Sequence, residues 1–225
     1  MSSSGRLRVR RTSILSRSYL VYRCLWPALE RAIERGIGSV RTTRTAEEIA
    51  VLDVGCGEKP YADLFAKCHY VGLNYSSEDA SPDVLGDAQR LPFADGSFDV
   101  VFSTQVIEHV PDPFALCREA FRVLRPGGVF IVSGPFYWPL HEEPYDFFRF
   151  TRYGFGQVLS RAGFQAASVE QDAGAVTQVM VSLIGLIPRW MYPLVPFINL
   201  VTPLLQRLSD DRRSTLNYVC LGMRP

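Results

Sequence analysis

The sequence predicts an α/β fold: a mostly parallel, seven-stranded sheet with helices on both faces. Three observations carry the prediction. Short, nearly continuous apolar runs recur along the chain, as strands buried on both faces require. Helical patterns stand between these runs, the alternation of a helix-covered parallel sheet. A glycine turn, Gly55-Cys56-Gly57, follows directly on the first strong run, and ligands in open α/β sheets bind at such strand ends.

Each element has its own local reason. Residues 18–36 read as a helical lead-in ended by Gly36 and Gly38, with a Thr/Arg linker over 39–45. Ile49–Val54, Tyr70–Leu73, Val84–Leu85, Asp99–Ser103 and Val129–Ser133 are the first five strands, with a helix expected after the glycine turn. Before the fifth strand stands a marked helix, with Asp112 as N-cap and Pro113 at its first position. Phe114, Cys117, Phe121 and Leu124 recur along it at helical spacing. Pro126-Gly127-Gly128 ends that helix, Thr151 caps another that ends at Gly163, and residues 165–170 and 217–223 are the last two strands. The expected organisation is a basic arm over 1–17, the lead-in and linker over 18–45, and one domain over 46–225. An apolar helical insert occupies about 173–212, before the last strand.

Composition bounds the function. With 225 residues, 47% hydrophobic and 21% charged, the chain can bury a sizeable core, which excludes wholesale disorder. A net charge of +1 excludes a general polyanion binder. The five cysteines include no C-x-x-C pair, which argues against a disulfide framework or a zinc knuckle and fits a reducing, cytoplasmic compartment. No metal site is expected. Of the 24 basic residues, 22 are arginine, which reads as the codon usage of a GC-rich bacterial genome.

Two stretches stand apart. Arg6, Arg8, Arg10, Arg11, Arg17 and Arg23 precede the first acidic residue, Glu30. No clean apolar stretch follows them, so a secretory signal is disfavoured; a solvated arm is the expectation and a transit peptide the alternative. Near the other end, no charge stands between Asp172 and Arg189 or between Arg189 and Arg207. Each run is short for a spanning helix, and the second is broken by Pro193, Pro196 and Pro203. Helices packed on the domain, or lying in a membrane surface, are expected; a homodimer contact is a further use. Arginines and an apolar lobe together suit peripheral contact with anionic lipid.

The segment Val51–Tyr61 (VLDVGCGEKPY) carries the chemistry. A buried strand ends in Asp53, and glycines then let the backbone pass close beneath a ligand. A dinucleotide fingerprint would need a third glycine where Lys59 and Pro60 stand, which disfavours a nicotinamide enzyme. Together with GDAQRLPFADGSFDVVFSTQVIEHVPDP and LCREAFRVLRPGGVFIVSGP, this turn resembles the class I S-adenosylmethionine-dependent methyltransferases of the small-molecule, type 11-like kind. The likeness covers about Ile49 to Phe164 and implies a Rossmann-like, doubly wound sheet with S-adenosyl-L-methionine as cofactor. It implies that Asp53, Gly55, Cys56 and Gly57 form the loop under the methionine part. Asn74 stands where the family usually has an acidic residue on the ribose, Tyr75 beside it is placed to stack near the adenine, and Asp87 with Ala88 matches the adenine contact. Ser103, Thr104 and Gln105 would face the reactive methyl. Glu108 and His109, an E-H pair common in the family across unlike substrates, imply a positioning role. Each has a bland counterpart: Asp53 as a turn cap, Asp87 as a loop residue, Gln105 as a solvated side chain.

Gly134–Phe150 (GPFYWPLHEEPYDFFRF) follows the fifth strand and should overhang the cofactor. Polar groups among aromatics suit a small organic or sugar substrate, and the segment looks, more loosely, like that of methyltransferases from bacterial glycan and cell-envelope genes. His141 is the candidate base, since an unperturbed imidazole suits proton abstraction at neutral pH; Asp146 is a second base or the orienter of His141. Alternatively both tie down the loop, with Arg149 paired to Asp146. The expected activity is O-methylation of a small or lipid-linked acceptor such as a saccharide or a polyketide-like molecule. A catalytically silent scaffold or membrane-docked binding protein is the alternative. Nucleic acid is not expected as a partner, because no N/D-P-P-Y/F-like motif follows the fourth strand.

Overall fold

The computed structural model describes residues 12–40, 44–78, 80–165, 168–209, 211 and 213–225. Its sheet has seven strands in the order β3-β2-β1-β4-β5-β7-β6. These are β1 (Ala50–Val54), β2 (His69–Asn74), β3 (Val84–Leu85), β4 (Phe98–Thr104), β5 (Leu124–Pro135), β6 (Val169–Gln171) and β7 (Asn217–Met223). β7 runs antiparallel to both β5 and β6, whereas the pairs from β3 through β5 are parallel. The sheet is thus mostly parallel and Rossmann-like. Strand order reverses between β1 and β4, which places a crevice at their carboxyl ends.

Among the described residues the α-helices are α1 (Tyr19–Val40), α2 (Pro113–Val123), α3 (Arg152–Arg161), α4 (Ala175–Leu186) and α5 (Val195–Gln206). Alternation along the central strands sorts the core onto two faces. Val100, Phe102, Val129 and Ile131 meet Leu25, Leu29, Ala32 and Ile33 of α1. Val101, Phe130 and Val132 meet Leu116, Cys117, Phe155 and Val158 of α2 and α3. This period of two is what a sheet covered on both sides dictates. A satellite cluster joins Leu20 to Val181, Ile184, Val195 and Leu216, so α4 and α5 rest on the start of α1.

Several boundaries differ from the sequence expectation. α1 runs through Gly36 and Gly38 to Val40, because Gly36 lies where the helix crosses the sheet. A Cβ there would stand 3.0 Å from Ile131 Cδ1. After the glycine turn only a short 3-10 helix forms, Ala62–Phe65, with Lys59 at positive φ and Pro60 where a longer helix would begin. The buried face of α2 is Leu116, Cys117, Ala120 and Val123; Phe114 and Phe121 flank it, and Leu124 already belongs to β5. Asp112 caps this helix as expected, its Oδ1 accepting from Phe114 N at 2.9 Å and Ala115 N at 3.0 Å, a contact worth ~1 kcal/mol.

Residues 1–11 of the expected arm lie outside the described residues. Residues 12–17 are no free arm: Asn199 Nδ2 donates to Ile14 O at 2.7 Å and Ser16 O at 2.9 Å. The Arg17 guanidinium donates to Tyr192 Oη at 2.7 Å and Ile184 O at 3.0 Å. α4 and α5 stand between β6 and β7 and leave Leu186, Trp190, Phe197, Leu200 and Leu208 exposed. Among the described residues, no helix is long and apolar enough to cross a membrane.

Candidate active site

A cleft of about 950 Å³ opens at the carboxyl ends of β1 and β4. Its floor is the turn after β1. Gly55 N and Cys56 N both donate to Leu73 O of β2, at 2.8 and 3.0 Å, which locks the turn against the neighbouring strand. Gly55 (φ 77°) and Gly57 (φ 48°) adopt the left-handed region that glycine alone enters freely. A Cβ on Gly55 would collide with Val106, whereas one on Gly57 would meet nothing within 4 Å. The turn therefore leaves free space above Gly57, the cradle that the methionine end of S-adenosylmethionine would need, and the cleft is roomy enough for that group.

Asp53 lines the floor and is fully buried. Tyr70 Oη donates to its Oδ2. Burial pushes its carboxyl up to about 7, against the pull of the Tyr70 hydrogen bond and the Lys59 charge. Cys56 is buried, and burial with the neighbouring Asp53 raises its thiol to about 12, so it serves as a small apolar side chain. Gln105, just after β4, also lines the cleft. It holds φ 56° as a non-glycine residue, with its N donating to Ser133 O at 3.1 Å and Nε2 to Ser133 Oγ at 3.2 Å. Glu142, likewise at positive φ, lines the same cleft, and such strained residues cluster where a site demands their geometry.

Other expected residues stand elsewhere. Ser103 does not face the cleft: it is buried, and its Oγ donates to Val54 O at 3.0 Å, tying β4 to β1. Its neighbour Thr104 takes the cleft-lining position because side chains alternate along a strand. Asn74, Tyr75, Asp87 and Ala88 lie outside this cleft, beyond the ends of β2 and β3. Asn74 Nδ2 donates to Ser76 O at 2.8 Å, so asparagine here closes a turn that an aspartate could not. Tyr75 is 82% exposed, with no aromatic stacking in place. Asp87 Oδ1 accepts from Gln89 N at 2.8 Å.

The segment after β5 forms one wall. Arg149 grips Asp146 with both ends of its fork, Nη1–Oδ1 at 2.5 Å and Nη2–Oδ2 at 2.7 Å, and also donates to Trp138 O and Pro139 O. Asp146 further accepts from His141 N at 3.0 Å. The guanidinium holds this carboxyl well below the usual carboxylate range. With both oxygens engaged by Arg149, Asp146 fits the role of a base poorly, against that expectation; it lies 3.2 Å from His141 Nδ1. His141 lines the cleft with Trp138 and His109, and the two imidazole rings meet edge to face at 4.8 Å.

One contribution escaped sequence reasoning: Ser16, Ser18, Tyr22 and Leu25 also line the cleft, and nothing in their sequence places them over a site. Glu108, expected with His109 as a positioning pair, is completely buried, with neither carboxylate oxygen hydrogen-bonded to another residue among the described ones. Burial raises it to about 8.

The comparisons with known proteins bear on the family and the fold. The family model described as a methyltransferase domain matches residues 52–132. A Mycolicibacterium smegmatis protein named as a probable S-adenosylmethionine-dependent methyltransferase is 32% identical over 212 residues, covering 78% of this chain and 81% of that one. Among solved structures, the [4+2]-cyclase SpnF superposes with a TM-score of 0.57 at 18% identity, over 87% of this chain and 81% of that one. The Haemonchus contortus phosphoethanolamine N-methyltransferase 2 in complex with S-adenosyl-L-methionine gives a TM-score of 0.55 at 16% identity, over 100% of this chain and 60% of that one. Likeness at that distance establishes the fold alone. Sequence identity over most of both chains establishes more: the chain belongs to the S-adenosylmethionine-dependent methyltransferases, transferases that take their methyl group from that cofactor.

Proposed function

We propose that the chain methylates an oxygen of a small or lipid-linked acceptor, a saccharide or a polyketide-like molecule. The observation that carries this reading is the pair of imidazoles, His109 and His141, facing the same cleft as the glycine turn. S-adenosylmethionine bound there supplies an already activated methyl group. The protein's share is then alignment, worth up to ~7–11 kcal/mol in well-oriented systems, plus removal of a proton if the nucleophile is a hydroxyl.

In this reading Asp53, Gly55, Cys56 and Gly57 seat the methionine end, while Asn74, Tyr75, Asp87 and Ala88 flank the nucleoside at the ends of β2 and β3. Gln105 holds the acceptor from the β4 side. His141, oriented by Asp146, would take the hydroxyl proton as the methyl C–S bond breaks and the C–O bond forms, with S-adenosylhomocysteine as the leaving group. Trp138 and Tyr22, which both line the cleft, give it the aromatic surface that sugar and polyketide rings favour. The exposed apolar side chains of α4 and α5 support a lipid-linked acceptor, since Arg17 and Asn199 tie those helices to the segment that walls the cleft. A lipid surface and the cleft would then be served by one rigid unit, and the Arg-rich start adds charge suited to anionic headgroups.

The test is methyl-label transfer from S-adenosylmethionine to a panel of hydroxyl-bearing and amine-bearing glycans, glycolipids and polyketides. We expect alkali-stable label on hydroxyl acceptors, and His141→Ala should lower turnover by ~10²–10⁴ with cofactor binding retained. Label on amines alone, or a His141→Ala enzyme of unchanged turnover, would overturn the reading.

A further inference from the structure

Glu108, His109 and His141 each bring one ligand atom to within 4.8 Å of the others. His109 Nε2 already lies 3.8 Å from Glu108 Oε1 and 3.8 Å from Glu142 Oε2. Glu108 has both carboxylate oxygens buried without a partner side chain, a costly state that folded proteins ordinarily relieve by pairing or by metal coordination.

The imidazoles are held as metal-binding histidines are held. His109 Nδ1 lies 2.7 Å from Tyr145 O. A carbonyl oxygen only accepts, so Nδ1 carries the proton and Nε2 offers its lone pair toward Glu108. His141 Nδ1 lies 3.2 Å from the Asp146 carboxylate and 3.5 Å from Arg149 Nη2. The nearer, anionic partner favours the proton on Nδ1, which leaves Nε2 as the donor. Outer partners of this kind fix the tautomer and aim the ring in metal sites.

We propose that Glu108, His109 and His141 form a site for a divalent first-row transition cation, with Glu142 beside it on the exposed side. One carboxylate and two imidazoles suit Zn²⁺, Mn²⁺ or Fe²⁺ better than Mg²⁺ or Ca²⁺, which take oxygen ligands. Metal–ligand distances of about 2.0–2.2 Å put donors roughly 3.4 Å apart on a tetrahedral ion, so the widest gap must close by somewhat more than an ångström. The remaining coordination position faces the cleft, where the cation would take the acceptor oxygen and lower its pKa, its proton passing to water at the mouth. The inference deepens the O-methylation reading and rests on it for the acceptor: His141 then acts as a ligand, and the cation does the activating.

The experiment is titration of the chelator-treated full chain with Mn²⁺, followed by the loss of the free-ion paramagnetic resonance signal, and calorimetrically with Zn²⁺. We expect one ion per chain. His141→Ala and Glu108→Gln should each weaken binding at least ~10-fold, and Asp146→Asn, which touches no ion, ~10–100-fold. Calorimetric binding of S-adenosylhomocysteine reports that each variant is folded, and His141→Ala, on a partly exposed ring, covers the case in which Glu108→Gln fails to fold. No saturable ion binding, or binding that both ligand variants leave intact, overturns the site. Methyl transfer to hydroxyl acceptors undiminished in excess chelator overturns the cation's role while the acceptor reading stands. A bound cation with transfer to amines alone keeps the site and overturns the acceptor reading.

Discussion

The two glycines of the turn after β1 should fail in different ways when given a side chain. Gly55 sits at φ 77°, and a Cβ there would overlap Val106 Cγ2 and stand 3.2 Å from Cγ1 and 3.3 Å from Cβ of the same residue. Val106 packs against the main core cluster and precedes Ile107, which is fully buried, so it has little room to retreat. Left-handed backbone costs alanine ~1–2 kcal/mol and overpacking adds ~1–3 kcal/mol. Gly55→Ala should therefore destabilise the fold by about 2–5 kcal/mol, a fall in Tm of roughly 4–20 °C for a chain of this length. Gly57 has a similar backbone but open space where the Cβ would stand. Gly57→Ala should cost only ~1 kcal/mol of stability, yet weaken binding of S-adenosylhomocysteine at least ~10-fold, or ~1.4 kcal/mol, because the new methyl enters the space assigned to the cofactor. Thermal unfolding by circular dichroism and calorimetric titration separate the two effects. A Gly57→Ala protein that binds as tightly as the parent would refute the placement of the cofactor over this turn. A Gly55→Ala protein of parental stability would refute the packing account.

Two further predictions concern pH and surface. Burial raises Asp53 from 3.8 to about 7, so the folded state favours its neutral form. Its contribution to stability is complete below pH ~4 and lost as pH rises through about 7, up to ~4 kcal/mol in all at 1.36 kcal/mol per pH unit. Asp53→Asn should flatten that part of the stability profile between pH 4 and 7 in denaturant titrations; an unaltered slope would show that Asp53 is not the group responsible. If the exposed Leu186, Trp190, Phe197 and Leu208 meet a lipid surface beside the Arg-rich start, the chain should sediment with anionic vesicles and release as salt screens the arginines. Failure to sediment would count against a membrane-bound acceptor.

β1, β4 and β5 were legible because they are buried on both faces over most of their length and so announce themselves as apolar runs. The edge strands β3 and β6 are part-exposed; all seven strands overlap the expected segments, with ends shifted by a few residues. α2 and α3 were legible through their caps, Asp112 and Thr151. Helix continuity at Gly36 was not, because a glycine that admits a neighbouring strand looks in sequence like one that ends a helix. At the site, the glycine turn was read from local pattern and Gln105 from the family resemblance, and both line the cleft. Ser103 was misplaced by one alternation of β4, and Asp146 was mistaken for a candidate base because sequence spacing does not show that Arg149 occupies it from both sides. Residues 12–17 could not be read at all: their place depends on Asn199, Ile184 and Tyr192, more than 160 residues away. The burial of Glu108 is likewise a tertiary fact, since Phe147 N and Phe148 N fold back to donate to its carbonyl.

The most direct test of the account is a crystal structure of the chain with S-adenosylhomocysteine, grown with Mn²⁺. The expected complex has the methionine end over Gly55–Gly57, the sulfur opening toward Gln105 and His141, and the ion among Glu108, His109 and His141. A ligand whose sulfur faces away from those imidazoles, with another surface of the chain presented to the departing methyl group, would contradict it.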